Sequence, residues 1–296
     1  MDSSFTQVPL TIAVYPHFMD HCFAGKVVFP AVEALKILAG LIGERDFFTS
    51  AFAPGHMADA RFNKFLVLEP GQETIDALCN IRPIDDTRIS LSLATRFSSK
   101  NGAMTRIREH CTATFYAKTE PVPNLSPVHA HECEEPVFKV ATDSIYSELV
   151  PFGPAFHSIK DELRLARSGA YATLKAMPDD PDDPFKTMLG SGFPLDGAFH
   201  AGCVWSQRFF GVVAFPVGFD KRIIYKPTVE HQDYTARVIP QYQTHGTLGF
   251  DIWITDKQGD LCETVSGAMM RDVSGGTITP PAWIREGIHS CSYFSA

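Results

Sequence analysis

The sequence has no Cys-x-x-Cys pair, no excess of positive charge and no unbroken apolar run of the roughly 20 residues a membrane span needs. Each absence closes off a class. The seven cysteines stand singly, which fits reduced thiols better than a disulfide framework or a zinc ribbon. Lys and Arg number 26 against 34 Asp and Glu, a formal charge of −8, which argues against a general nucleic-acid binder. The opening Met-Asp-Ser-Ser is acidic and polar, unlike a secretory leader. These features lead us to expect a cytoplasmic protein that engages neither membrane nor nucleic acid. Several catalytic signatures are also missing: the Gly-x-Ser-x-Gly elbow, the Walker phosphate loop, His-Glu-x-x-His, and Gly-x-Gly-x-x-Gly after a strand. Serine hydrolysis, nucleotide hydrolysis, zinc proteolysis and hydride transfer are therefore disfavoured.

What is present is a chain of 296 residues, 45% hydrophobic and 20% charged, long enough for one large domain or two small ones. Lys118 to Pro136, KTEPVPNLSPVHAHECEEP, is rich in proline and charge and reads as a linker. It divides the chain into an N-terminal unit (1–117), the linker (118–136) and a C-terminal unit (137–296). A second break, MPDDPDDP at Met177–Pro184, is expected to be an exposed acidic loop, with prolines too dense for a calcium-coordinating loop.

Similar pieces recur in similar order on the two sides of the linker. Residues 30–42, PAVEALKILAGLI, open with Pro at a first-turn position and are apolar nearly all round, as a helix buried on most sides would be. Residues 196–210, DGAFHAGCVWSQRFF, form a second such segment, with Asp196 placed to suit the positive end of the helix dipole. After the first, RISLSLATRF (Arg88–Phe97) turns through Lys100-Asn101-Gly102 and returns as TRIREHCTATFYA. After the second, TLGFDIWIT (Thr247–Thr255) turns through Lys257-Gln258-Gly259 and returns as DLCETVSGAMMRDV. Alternation around a short Gly-containing turn predicts a hairpin in each case. The pattern points to duplication of one α+β unit, a helix plus an antiparallel sheet; two unrelated α+β domains are the alternative.

Few residues offer chemistry. His129, His131 and Cys133 cluster in the linker, where no scaffold would fix a metal geometry. His17 and His21 are four apart but lack a second ligand pair. His21 has a more telling context, HCFAGKVVFP, which is His-x-x-x-Gly-x-x-x-x-Pro through Gly25 and Pro30, leading directly into the first helix. The second helix places Asp196 and His200 at i and i+4 on one face, among Phe193, Leu195, Phe199 and Trp205. Between them FGPAFH, Phe152 to His157, is by itself only a Gly-Pro turn.

In this order the three features resemble the dehydratase domains of polyketide synthases and related fatty-acid megasynthases. Those domains carry His-x-x-x-Gly-x-x-x-x-Pro, then Tyr-Gly-Pro-x-Phe, then Asp-x-x-x-Gln/His. Here the motifs stand as His21, Gly25 and Pro30; then Gly153, Pro154 and Phe156; then Asp196 and His200. The resemblance covers nearly the whole chain and implies a double hotdog, in which each half wraps an antiparallel sheet around one long helix. Two departures are visible: Phe152 replaces the family's tyrosine, and Ala31 replaces a glycine after the motif proline.

The implied reaction is dehydration of a 3-hydroxyacyl thioester to an enoyl thioester, which needs a base for the α-proton and an acid for the hydroxide leaving group. By resemblance His21 is the base, Asp196 the acid, and His200 orients Asp196. The Gly25 N–H is a donor to the thioester oxygen. Asp196 is expected to hold its proton because desolvation outweighs the helix dipole. Neither metal nor organic cofactor is implied. The substrate would arrive on the phosphopantetheine of an acyl carrier protein, within a larger set of synthase components, and a homodimer is compatible. Local basic clusters that could meet an acidic carrier are Lys221, Arg222 and Lys226, or Arg164 and Arg167. Phe152 leaves open cyclisation or double-bond migration of the product-template or pyran-forming type; a non-catalytic acyl-binding module is the remaining alternative.

Overall fold

The structure is a computed structural model that describes residues 6–43, 52–98, 105–117, 137–181, 183, 185 and 189–287. The linker at 118–136, with His129, His131 and Cys133, lies outside the described residues, as does the turn at 99–104.

The two apolar segments form the two long helices. The first spans Ala31–Gly43, with the Pro30 carbonyl accepting from the Ala34 N–H at its start. Leu35, Leu38 and Ala39 are fully buried. Each fully buried Leu contributes about 1.5–3 kcal/mol relative to exposure, so this helix is held by packing more than by propensity. The second helix spans Phe193–Phe210 and is buried from Phe193 to Arg208. It begins three residues before Asp196, so that Asp196 lies in its first turn instead of opening it.

The N-terminal unit contributes eight strands: β1 (Thr6–Ala13), β2 (Cys22–Phe23), β3 (Lys26–Val28), β4 (Ala53–Phe62), β5 (Val67–Leu68), β6 (Thr74–Asp85), β7 (Arg88–Ser98) and β8 (Thr105–Tyr116). The C-terminal unit contributes β9 (Phe138–Ala141), β10 (Ile159–Ala166), β11 (Gly169–Lys175), β12 (Phe215–Ile224), β13 (Asp233–Thr244), β14 (Thr247–Thr255) and β15 (Leu261–Arg271). The two hairpins legible in the sequence are β7–β8 and β14–β15.

Twelve strands make one antiparallel sheet in the order β1-β6-β7-β8-β4-β12-β15-β14-β13-β11-β10-β9. Read outward from its centre, the N-terminal half runs β4-β8-β7-β6-β1 and the C-terminal half runs β12-β15-β14-β13-β11. The two halves therefore repeat one topology: an outer strand, the long helix, then the strand at the join, then three strands that start beside the outer strand and run inward to the join. The first helix packs on β4, β7 and β8, and the second on β10 to β14. This is a double hotdog, and the duplication is real at the level of strand order. The halves meet where β4 pairs with β12, with Ala60 opposite Phe219 and Met57 opposite Arg222.

One sequence expectation fails at the join between the halves. The acidic loop at Met177–Pro184 is not simply exposed: Asp179 and Asp183 are each 6% exposed and lie against Lys36 of the first helix, at 3.4 and 2.7 Å. Glu33 meets the same ammonium at 2.7 Å. A lysine in an apolar helix demands counter-charges once it is buried, and the loop supplies them.

Candidate active site

His21 sits at the exit of a short 3-10 turn, Pro16–Asp20, and just before the β2–β3 hairpin. Its backbone is held from both sides: its N–H donates to Phe18 O at 3.0 Å, and its carbonyl accepts from Val28 N–H at 2.9 Å. The ring is fixed as well, because Nδ1 lies 2.7 Å from the Val28 carbonyl. A carbonyl only accepts, so Nδ1 carries the proton and Nε2 is left with a free lone pair. Burial lowers the His21 pKa; the nearby Asp196 and the Val28 hydrogen bond oppose that without reversing it. The imidazole is thus neutral under ordinary conditions, the state a base requires.

Asp196 is 7% exposed and His200 4%, with Oδ2 and Nε2 3.0 Å apart. The contact is an ion-pair approach and not a directed hydrogen bond, since neither atom meets hydrogen-bond geometry with any partner. Burial pushes the Asp196 carboxyl up, but His200 and His21 pull it down further, and the net direction is below the ordinary carboxylate value. This corrects the expectation that desolvation would win. His200, 3.0 Å away, supplies most of that pull, and His21 a smaller part.

The FGPAFH segment joins the two halves of the site. The Phe152 ring lies 4.4 Å from the His21 ring and 5.1 Å from that of His200, in contact with both imidazoles. Gly153 donates its N–H to Asp20 O at 2.7 Å, and Ala155 donates to Asp20 Oδ2 at 2.8 Å. A Cβ on Gly153 would stand 2.4 Å from Asp20 Cγ, so only glycine permits this approach. Pro154 starts the 3-10 turn Pro154–Phe156, and the buried Phe156 ring packs 4.9 Å from His21. Asp20, the neighbour of His21, is thereby tied to the C-terminal unit.

Gly25 is the one motif residue the structure moves out of its expected role. With Ala24 (φ 48°) and Gly25 (φ 74°) it forms the two-residue turn of the β2–β3 hairpin, exposed and outside the cavity lining. Both positive φ angles match the turn type such hairpins favour. Gly25 therefore shapes the hairpin that carries Val28 to His21, and the oxyanion-donor role is not supported. Of the basic residues marked for carrier docking, Arg222 is also withdrawn: it is 2% exposed and forks onto Glu263 at 2.7 and 3.1 Å. Lys226 is paired with Asp256 at 2.6 Å. His17 packs among Tyr15, Phe18, Phe156 and Phe193.

Two further residues carry no sequence signal. The Tyr146 hydroxyl is 3.4 Å from His200 Nδ1 and accepts from the Ile159 N–H at 2.9 Å. His157 stacks on the Tyr146 ring at 4.1 Å and reaches the Phe152 carbonyl through Nε2 at 2.9 Å. Both belong to a layer behind Asp196 and Phe152 that only the packing assembles.

His21, Asp196, His200 and Phe152 line one cavity of about 90 Å³, walled by residues of both units. A neutral imidazole and a carboxyl group facing one apolar space can remove a proton from one carbon and deliver another to a departing oxygen. A double hotdog with this pair at the junction of its halves defines the class: a dehydratase of the double-hotdog type.

Comparison with known proteins agrees. The family model described as polyketide synthase dehydratase N-terminal domain matches residues 126–277, just over half of the chain. The chain belongs to the polyketide synthase dehydratase family. A trans-AT polyketide synthase dehydratase domain from Brevibacillus brevis is 15% identical, with TM-score 0.71, covering 92% of this chain and 96% of that one. The dehydratase domain from the CurF module of curacin polyketide synthase is 18% identical, with TM-score 0.70, covering 92% and 94%. The dehydratase domain of a mycocerosic acid synthase-like polyketide synthase is 14% identical, with TM-score 0.69, covering 91% and 95%. No curated protein sequence matches the chain.

Proposed function

We propose that this dehydratase acts on 3-hydroxyacyl thioesters carried on the phosphopantetheine of an acyl carrier protein, with His21 as base and Asp196 as acid. The observation that carries the assignment is the commitment of His21 Nδ1 to the Val28 carbonyl, which leaves Nε2 as a lone-pair donor in the cavity shared with Asp196. His21 Nε2 takes the C2 proton of the thioester. The C3–O bond then breaks as its electrons leave with oxygen, the C2–C3 double bond forms, and Asp196 gives the proton that turns the leaving hydroxide into water. His200, 3.0 Å from Asp196, orients that carboxyl group. Substrate filling the cavity makes the surroundings of the buried carboxyl group more apolar, which favours the protonated form of Asp196.

Two similar solved dehydratases support the choice of residue types. CurJ with a histidine changed to phenylalanine and CurK with an aspartate changed to asparagine are both described as inactive mutants. The family match does not favour the cyclisation and double-bond migration that Phe152 left open. Other polyketide synthase components and the carrier protein are the partners this reading implies, with no cofactor required by the chemistry. Incubation with a 3-hydroxyacyl carrier protein, followed by mass spectrometry, should show loss of one water. An unchanged mass, or an isomer of the substrate, would overturn the reading.

A further inference from the structure

The cavity wall has a chemical character that the reaction itself does not demand. Beyond the catalytic groups its surface is aromatic, with Phe23, Phe29, Phe62, Phe65, Phe199 and Phe215 contributed by both units. The other polar side chains among its described lining residues are Lys64, His110, Cys111 and Cys203. The three apart from Lys64 are already engaged. His110 Nε2 is 2.9 Å from Thr95 Oγ1 and its Nδ1 is 3.0 Å from the Lys64 carbonyl, so both ring nitrogens are used. The Cys203 sulfur accepts from Gln207 Nε2 at 3.5 Å, and burial pushes its thiol up to about 12. The buried Cys111 thiol leans on its neighbour's carbonyl, with burial again raising its pKa. Lys64 is exposed and offers an ammonium only at the margin of the wall. The backbone carbonyls of Val28 and Phe152 are likewise occupied, by His21 and His157.

We propose that the site is selective for 3-hydroxyacyl thioesters whose chain beyond C3 is alkyl or alkenyl and carries no further hydroxyl. The proposal rests on the dehydratase reading and adds the substrate class. A second hydroxyl, at C5 for example, would leave water for a wall whose buried polar side chains beyond the catalytic groups are already engaged and whose remaining one, Lys64, is exposed, so its desolvation goes largely unrepaid. Apolar pockets reject an added hydroxyl only moderately, by about 10–100-fold, because no steric exclusion is involved.

The test compares kcat/KM for matched pantetheine thioesters: 3-hydroxyhexanoyl and 3-hydroxyoctanoyl against 3,5-dihydroxyhexanoyl and 3,5-dihydroxyoctanoyl. A deficit of about 10–100-fold for each dihydroxy member supports the proposal. Values equal within twofold, or a preference for the dihydroxy member, would overturn it while leaving the dehydratase reading intact. Turnover of none of the four, by a folded protein, would instead overturn the dehydratase reading and the selectivity with it.

Discussion

A proton inventory governs the site at the scale of single residues. His21→Ala removes the base and Asp196→Asn removes the acid while keeping its shape, so each should abolish turnover with the fold intact by circular dichroism. Near-normal rates in either variant would refute the role given to that residue. His200→Ala acts through Asp196 and should cost less, about 10–100-fold by analogy with groups that orient a catalytic ligand; complete inactivity would place it in direct contact with the chemistry. The pH profile provides a separate check. Burial lowers the His21 pKa from its ordinary 6.5, so the imidazole stays neutral as the solution becomes more acidic. The ascending limb of kcat/KM should therefore have its midpoint below pH 6.5. A midpoint at or above 6.5 would mean that the group titrating there is not this buried histidine.

At the scale of elements, the first helix raises a question its sequence alone does not answer. Lys36 is 3% exposed in a helix whose other residues, Glu33 apart, are Leu, Ile, Val, Ala and Gly. Burial disfavours its ammonium, but Glu33, Asp179 and Asp183 hold it charged and above the ordinary lysine value. Burial pushes the Glu33 carboxyl up to about 7 even beside that lysine, and Asp179 is raised by the same cause. The cluster pins the loop that leads into the Asp196 helix onto the helix that follows His21. Lys36→Met would strand three buried carboxylates, and a broken buried pair typically costs about 3–5 kcal/mol. The sign of its pH dependence follows from those carboxylates. The folded pKa values of Glu33 and Asp179 would rise further above the unfolded ones, so stability is kept at low pH and lost as pH rises through the folded values. Urea unfolding of Lys36→Met should thus show a larger deficit at pH 8 than at pH 5. An equal deficit at both would mean that the cluster acts by packing and not by charge.

At the scale of the whole molecule, the site belongs to neither half. His21 comes from one unit, Asp196, His200 and Phe152 from the other, and Asp20 O and Oδ2 tie the two through Gly153 and Ala155. The halves also share a sheet, so separating them bares the β4 and β12 edges along their whole pairing. Residues 1–117 and 137–296 expressed separately should each be inactive, and any activity should return only on mixing. Turnover by either half alone would contradict a site built at the junction.

Much of this was legible in the sequence because it depends on short-range pattern. Hydrophobic content marked both helices to within a few residues, alternation and Gly-containing turns marked the β7–β8 and β14–β15 hairpins, and the repeat of these pieces marked the duplication. Motif spacing singled out His21, Asp196 and His200, since a functional turn and a helical i, i+4 pair are local arrangements. The rest required tertiary structure, because it depends on residues far apart in the chain meeting in space. Gly25 is by resemblance a ligand-facing glycine until the fold puts it at the exposed tip of its hairpin. Arg222 reads as surface charge until Glu263 closes on it, and MPDDPDDP as a solvated loop until Lys36 draws Asp179 and Asp183 inward. The direction of the Asp196 pKa was decided the same way. The sequence determined that the carboxylate would lie one helical turn from His200; only the fold buried that contact at 3.0 Å, where the attraction of His200, with a smaller contribution from His21, outweighs desolvation.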